Sequence, residues 1–283
     1  MHVPERVSGL VELTRPINSI VAGVLTFIGA FVVVGLPTAN QVPAVGAASG
    51  ATILATGAGM AINDYFDRDI DAINAPDRPI PRGAVAPREA LAASIVLFGG
   101  SMALALTLPI LGIAIAVVNL LALVSYTVVF KGRPGAGNVL VGYLGGSTFL
   151  FGAAAVGGLS ITAIVLFLLA AVSTVTREII KDVEDIEGDR EEGLRTLPIV
   201  IGERRSLIIA GALLFAAVIA SPLPWWLGTF GPVYLVLVVP ADGLMLYALV
   251  ESFDDPTVGQ KYIKFGMFLA AASFVIGRSA LIL

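Results

Sequence analysis

Two aspartate-rich stretches have a spacing that could hold metal ions. Residues 63–79 read NDYFDRDIDAINAPDRP, and residues 181–198 read KDVEDIEGDREEGLRTLP. Side chains four residues apart lie on one face of a helix, about 6 Å apart along its axis. Each stretch is therefore predicted to present a ladder of carboxylates on one continuous helix face. The candidate metal ligands are the ladder acids Asp67, Asp71, Asp185 and Asp189, together with Asp64 and Asp182, which flank the ladders.

The two stretches also align with each other. The alignment pairs the acids of the first stretch with those of the second: Asp64 with Asp182, Asp67 with Asp185 and Asp71 with Asp189. A basic residue and a proline follow in each stretch, and Asn63 corresponds to Lys181. Asp69 lies off the ladder face. The pattern predicts an internal repeat whose two copies meet on the same side of the molecule.

The chemistry expected of two facing ladders is the binding of divalent cations. Their acids would repel one another, and the first ladder has too few bases beside it in the sequence to neutralise it. The chain has no cysteine and a single histidine, His2, so any metal must be held by oxygen. Oxygen ligands favour Mg²⁺ or Mn²⁺ over zinc or copper. Because Mg²⁺ usually binds through one or two carboxylates together with substrate phosphates, we expect a diphosphate substrate.

The elements that must position these ladders are membrane-spanning helices. Hydrophobic residues make up 57% of the chain, charged residues 13%, and the mean hydropathy is +0.92, whereas soluble domains carry about 25% charged residues. Nine apolar segments have the length of about 20 residues that a spanning helix needs. We predict an all-α bundle of nine transmembrane helices over 17–36, 43–63, 89–108, 110–130, 138–157, 160–180, 206–226, 229–250 and 262–282.

The distribution of basic residues predicts how this bundle lies in the cell membrane. Lysine and arginine occur before the first segment and in the loops after the second, fourth, sixth and eighth segments, but not in the alternate loops. By the positive-inside rule, the N-terminus and both ladders are cytoplasmic and the C-terminus is outside. Arg278, within the last segment, departs from the pattern. Asp242 lies inside the eighth segment, where we predict a polar contact between helices.

The two aspartate-rich stretches resemble signatures of a known family. NDYFDRDIDAINAPDRP resembles the first aspartate signature of the UbiA superfamily of intramembrane prenyltransferases, and KDVEDIEGDREEGLRTLP resembles its second. TRPIN, residues 14–18, and SYTVVFKGRPGAGN, residues 125–138, extend the resemblance over nearly the whole chain. The resemblance implies one transmembrane domain over residues 1–283, a nine-helix bundle, dependence on Mg²⁺ and a prenyl diphosphate donor.

The resemblance also implies roles for individual residues. Asp67, Asp71, Asp185, Asp189 and Lys181 are the expected catalytic group. The expected substrate-binding residues are Asn63, Arg78, Arg177, Lys181 and Arg195 for the diphosphate, and Asn18, Tyr126, Lys131 and Asn138 around the reactive end or the acceptor. Metal and bases would stabilise the charge of the departing diphosphate, and the apolar cavity would shelter the prenyl cation from water.

Among the branches of the family, the sequence is most similar to the archaeal lipid branch. That similarity implies transfer of a geranylgeranyl group from geranylgeranyl diphosphate to geranylgeranylglyceryl phosphate, which forms the second ether bond of archaeal lipids. The expected partners are these substrates and membrane lipids, with no nucleic acid, and the oligomeric state stays open. Prenylation of an aromatic quinone precursor is the alternative within the same chemistry. Cation transport is the alternative of another class, although transporters usually hold their charges near the bilayer midplane.

Overall fold

The chain folds almost entirely into helices. A computed structural model describes residues 3–282, and that part contains no strand. His2 lies outside the described residues. The helices are α1 Val3–Leu13, α2 Pro16–Val34, α3 Val42–Phe66, α4 Arg68–Asn74, α5 Pro87–Ala105, α6 Ile110–Ser125, a π-helical turn Tyr126–Phe130, α7 Ala136–Ala155, α8 Ile161–Glu184, α9 Ile186–Glu191, α10 Leu197–Ile201, α11 Glu203–Ala220, α12 Leu223–Trp226, α13 Val233–Glu251 and α14 Pro256–Ile282.

The predicted bundle of nine transmembrane helices is confirmed. Within residues 3–282, nine helical segments are long and apolar enough to cross a membrane: α2, α3, α5, α6 with the π-helical turn, α7, α8, α11 with α12, α13 and α14. The sequence did not predict α1 or α10, nor that α4 and α9 are separate from the long helices before them. Because successive spans run in opposite directions, the C-terminal ends of α3 and α8 lie at one end of the bundle, which we call the Asp-rich end.

Small residues bring the central helices into close contact. A Cβ atom added to Gly152 of α7 would lie 1.8 Å from the carbonyl oxygen of Thr26 on α2, and one added to Gly29 would lie 2.3 Å from that of Phe149. Close approach through small residues is a common way to pack helices in a membrane, where lipid is as apolar as the side chains. The backbones of α2 and α7 therefore touch, and this contact sets the wall on which α3 and α8 pack.

Each aspartate-rich stretch starts on a long helix and continues on a short one. Asp67 joins α3 to α4 with φ −85° and ψ 0°, and Asp185 joins α8 to α9 with φ −91° and ψ 7°. The prediction of one continuous ladder face is therefore wrong, because Asp71 and Asp189 belong to separate short helices. Neither glycine nor proline adjoins Asp67 to signal the break. The two junctions share their geometry, while the duplication itself stays a prediction.

The polar contact predicted for Asp242 is present. Its Oδ2 accepts a hydrogen bond from the hydroxyl of Ser221, between α11 and α12, at 2.6 Å. Near the C-terminal end of α14, Arg278 donates through Nη1 to the carbonyl oxygen of Thr229 at 3.2 Å. Both polar groups thus lie against neighbouring parts of the bundle, as the cost of exposing them to lipid requires.

Candidate active site

Two buried acids of the first stretch share arginine partners. Asp64 and Asp71 are 4% and 6% exposed. Arg78 donates through Nη1 to both carboxylate oxygens of Asp71, at 2.7 and 2.6 Å, and the same nitrogen lies 3.6 Å from Oδ1 of Asp64. Arg15 donates through Nη2 to Asp64 Oδ1 at 2.9 Å. Because a buried charge is costly unless it is paired, these arginines offset part of the cost of burying the two carboxylates.

Arg15 reaches Asp64 from an unusual backbone conformation. It precedes α2 with φ 44° and ψ 67°, and it is the one non-glycine residue with positive φ in the part of the chain that the structure describes. The left-handed region costs a non-glycine residue about 1–3 kcal/mol. Pro16, which follows, already disfavours the right-handed helical region for Arg15. The conformation aims the guanidinium back at the Asp-rich end.

The third acid of the first stretch pairs with a distant lysine. Lys131 Nζ lies 2.5 Å from Asp67 Oδ2. The π-helical turn immediately precedes Lys131, whose backbone N–H donates to the carbonyl of Tyr126 at 2.8 Å. Single π-helical turns often occur at functional sites. The acids of the first ladder are thus paired with bases, two of which come from remote parts of the chain, because the bases beside the ladder in the sequence are too few.

The second stretch has weaker compensation. Asp182 accepts a hydrogen bond from the neutral amide of Asn138 at 2.7 Å, and Lys181 Nζ lies 3.0 Å from Asp185 Oδ2. The Asp185 pair is nearly half exposed, so solvent screens it. Asp189 lies on α9, where burial raises the pKa of its carboxyl. Among the described contacts, the acids of the second stretch therefore have fewer basic partners than those of the first.

The two stretches approach each other at the Asp-rich end. Burial raises the pKa of Glu192, which follows α9; Lys131 opposes this shift, and the charges of Asp67, Asp189 and Asp71 add to it. The backbone N–H of Arg195 donates to the carbonyl of Gly132 at 3.0 Å, which ties the second stretch to the loop after the π-helical turn. The Arg195 side chain itself is exposed.

A cavity of about 610 Å³ extends from this end into the bundle. Most of its wall is apolar, as is usual for sites that bury a large part of their ligand. Five of the predicted substrate-binding residues line it: Asn18, Asn63, Tyr126, Arg177 and Lys181. Three others contact the acids, namely Arg78, Lys131 and Asn138. Arg195 is the predicted residue whose side chain the structure does not bring into this group.

The sequence matches a known protein family over most of its length. The model of the UbiA prenyltransferase family matches residues 22–272. The chain belongs to the UbiA prenyltransferase family. It is similar to the digeranylgeranylglyceryl phosphate synthase of Natronomonas pharaonis, with 63% identity over 98% of this chain and 99% of that one.

Solved structures agree with this membership of the UbiA family. A structure of a digeranylgeranylglyceryl phosphate synthase superposes with a TM-score of 0.81 and 35% identity, covering 97% of this chain and 99% of that one. A UbiA homologue from Archaeoglobus fulgidus, bound to DMAPP and Mg²⁺, superposes with a TM-score of 0.69 at 18% identity, over 92% and 98% of the two chains. This UbiA member is therefore a multi-pass membrane protein and a prenyltransferase.

The acids of this UbiA member fit a hydrated Mg²⁺ ion. Within residues 3–282, no three carboxylates come close enough together to enclose a metal by themselves. Mg²⁺ does not need such a cage, since it commonly keeps waters and takes one or two carboxylates plus substrate phosphates. Aspartates at the mouth of a cavity, facing bases, are a suitable donor set for an ion that arrives with a diphosphate.

Sequence reasoning missed several residues of the site. Arg15 and Glu192 lie among the aspartates, Glu178 lines the cavity, and Thr127 donates to the side-chain oxygen of Asn63 at 2.8 Å. The Arg-Pro pair before α2 was the one available signal for Arg15. The other three residues carry no signal of their own, because only the packing of helices that are remote in the chain brings them to the site.

Proposed function

We propose that this chain transfers a geranylgeranyl group from geranylgeranyl diphosphate to geranylgeranylglyceryl phosphate. The observation that carries the proposal is the cavity: a mostly apolar chamber of about 610 Å³ whose lining includes the first residue of each aspartate-rich stretch, Asn63 and Lys181, together with Arg15 and Arg177. An apolar chamber suits a prenyl tail, and the charged mouth suits a diphosphate. The similarity to digeranylgeranylglyceryl phosphate synthases supports the choice of this acceptor over an aromatic one.

The residues at the mouth divide between metal and phosphate. Bound Mg²⁺, or Mn²⁺, would supply positive charge to the departing diphosphate. It would be held, directly or through water, by Asp64, Asp67, Asp71, Asp182, Asp185 and Asp189. Arg78, Arg177 and Lys181 neutralise phosphate oxygens, and Asn63 donates a hydrogen bond through its amide. Within this set, Asp67, Asp71, Asp185, Asp189 and Lys181 carry the catalytic role.

The reaction then follows from charge and from the exclusion of water. The allylic C–O bond of the donor breaks as its electron pair moves to the diphosphate, whose negative charge the bases stabilise. The apolar wall shelters the allylic cation from hydrolysis. Asn18, Tyr126, Lys131 and Asn138 surround the reactive end and hold the acceptor, whose hydroxyl oxygen attacks the cation to form the ether.

The placement in the membrane is part of the proposal. The loops at the Asp-rich end carry most of the basic residues, which supports a cytoplasmic active site and N-terminus, with the C-terminus outside. A cytoplasmic site would meet water-soluble Mg²⁺ while both prenyl tails remain in the bilayer.

The test is product analysis with purified protein in lipid vesicles. Labelled geranylgeranyl diphosphate is supplied with geranylgeranylglyceryl phosphate or with an aromatic acid, and the products are identified by mass spectrometry. We expect the diether phosphate alone. Prenylation of the aromatic acceptor instead, or cation flux through the vesicles without any prenyl transfer, would replace this proposal with the corresponding alternative.

A further inference from the structure

The proposed reaction requires a group that removes a proton. When the hydroxyl oxygen of the glyceryl phosphate attacks the allylic cation, its lone pair forms the new C–O bond and the oxygen becomes positively charged. The O–H bond must then break, its electrons remaining on the ether oxygen. None of the metal-binding or phosphate-binding roles assigned above accounts for this proton.

Glu178 lies where such a base is needed. It is on α8, four residues before Asp182, and so stands one helical turn, about 6 Å, deeper in the cavity. Its side chain is 15% exposed and lines the cavity wall. The donor carbon that reacts is attached to the diphosphate and must lie just beyond the acids, on the cavity side. Glu178 is the carboxylate at that depth on α8.

The aligned stretches show that Glu178 is not part of the repeated set of acids. In the alignment that pairs Asp64 with Asp182, the residue corresponding to Glu178 is Met60. Met60 also lines the cavity. The acids assigned to the metal occur in both copies, whereas this acid occurs in one. The site binds a single acceptor, so the attack of that acceptor does not follow the symmetry of the two copies. A base that occurs in only one copy suits such a step.

The surroundings of Glu178 give it a basic partner and leave room for a substrate. Arg177 Nη1 lies 2.5 Å from its Oε1. Lys181 and Asp182 on the same helix and Tyr126 on the π-helical turn are within electrostatic reach. Lys264 on α14 is the basic residue on the opposite cavity wall, with Arg15 at the mouth and Asp242 and Tyr234 deeper. The described hydrogen bonds leave Oε2 without a protein donor, so it can accept a proton from the acceptor hydroxyl.

We infer that Glu178 is the general base that takes the proton of the acceptor hydroxyl as the ether bond forms. This inference rests on the proposed transfer to a glyceryl phosphate. The proton moves from the hydroxyl oxygen to Oε2, and it leaves for solvent when the diphosphate product departs through the mouth. No oxidant or other co-reactant is required.

The test compares Glu178→Gln with the wild type and with Glu184→Gln. Glu184 is on the same helix but accepts a hydrogen bond from Gln260 Nε2 at 2.7 Å, and it does not line the cavity. Single-turnover reactions with labelled geranylgeranyl diphosphate and the glyceryl phosphate acceptor are separated into ether and free prenyl alcohol. We expect Glu178→Gln to form ether about 100-fold more slowly or worse, the usual effect of losing a general base, with a larger share of alcohol. Glu184→Gln should match the wild type.

Two further measurements show whether Glu178 acts as a general base or only positions Arg177. A donor analogue with a non-hydrolysable diphosphate should bind Glu178→Gln as tightly as the wild type, whereas loss of Arg177 positioning would weaken that binding. Formate should restore ether formation to Glu178→Ala, because a small carboxylate can occupy the vacated space. Weakened analogue binding without rescue would overturn the assignment.

The outcomes also distinguish this inference from the function on which it rests. If the wild type forms no ether from the glyceryl phosphate, the proposed function is wrong and the base assignment falls with it. If the wild type forms the ether and Glu178→Gln keeps the wild-type rate and product ratio, the proposed function stands and Glu178 is not the base. In that case the released diphosphate takes the proton.

Discussion

Lys131 and Asp67 form an ion pair with an Nζ–Oδ2 distance of 2.5 Å between the end of the π-helical turn and the end of α3. The π-helical turn closes its hydrogen bond over five residues, from Lys131 N–H to Tyr126 C=O. In an α-helix, two side chains five positions apart point about 140° away from each other around the helix axis. The wider π-helical turn brings Tyr126 and Lys131 closer to a common face. Tyr126 lines the cavity, and Lys131 contacts Asp67 at the Asp-rich end.

Replacing Lys131 with alanine should weaken use of the glyceryl phosphate acceptor more than binding of the donor. The lysine is one of the bases that a phosphate on the acceptor can reach, while the diphosphate retains Arg78, Arg177 and Lys181. Initial rates at varied concentrations of each substrate measure the two effects. Arg133→Ala is the matched control, since Arg133 is exposed and stacks on Phe130. A change confined to the donor KM would contradict the role given to Lys131.

Asp67→Asn and Asp185→Asn should each abolish turnover and leave the bundle folded. Asparagine keeps the size and one carbonyl ligand but removes the charge that balances Mg²⁺. Both carboxylates are partly exposed, so loss of their ion pairs should change stability by about 1 kcal/mol or less. Activity and thermal unfolding without metal give the two readouts. Asp69→Asn, at a side chain 88% exposed, should remain active. Equal inactivation of all three would rule out the assignment of ligands.

Removal of divalent metal should stop the reaction reversibly. The candidate ligands are all carboxylates, so a chelator should remove the ion without damaging the fold, and added Mg²⁺ or Mn²⁺ should restore turnover. Ether formation before and after EDTA, with excess metal added back, measures this. Zn²⁺ added back after EDTA provides the comparison. It should restore less turnover than Mg²⁺, because the site offers neither cysteine nor histidine within the described residues. Full turnover in EDTA would show that the acids do not act through a metal.

Arg15→Gly and Arg15→Ala should differ in stability although both lose the bond to Asp64. Glycine adopts φ 44° freely, whereas alanine keeps the strain, so Arg15→Ala should be less stable by about 1 kcal/mol. Unfolding of the two proteins under one detergent condition gives the difference. Equal stabilities would mean that the left-handed conformation relaxes once the guanidinium is removed.

Gly152→Ala should destabilise the protein, and Gly99→Ala should not. The added methyl at position 152 would lie 1.8 Å from the carbonyl oxygen of Thr26, so α2 and α7 would have to separate. Overpacking of this kind commonly costs about 1–3 kcal/mol. Gly99 is helical, on α5, with no atom within 4 Å of an added Cβ. Thermal unfolding of the pair would test whether the contact between α2 and α7 is as close as described.

The sequence by itself determined the number of spanning helices and the residues of both aspartate stretches. Nine apolar segments of bilayer length admit few other folds, because every backbone polar group within lipid must be bonded inside its own helix. The helical spacing also predicted that both stretches begin on helices, which in the structure carry Asp64 and Asp182. Asn18, Asn63, Tyr126, Arg177 and Lys181, taken from sequence alone, line one cavity in the structure.

Only the tertiary structure decided which base meets which acid. Asp64 pairs with Arg15 across 49 residues and Asp67 with Lys131 across 64, and such pairings depend on how α2, α3 and the π-helical turn pack. The break at Asp67 was also invisible, since α-helical spacing continues through it. The depth of Glu178 in the cavity also depends on how the helices pack. A periodic pattern specifies the face of a helix, whereas the partner opposite that face is set by packing between helices that are remote in the chain.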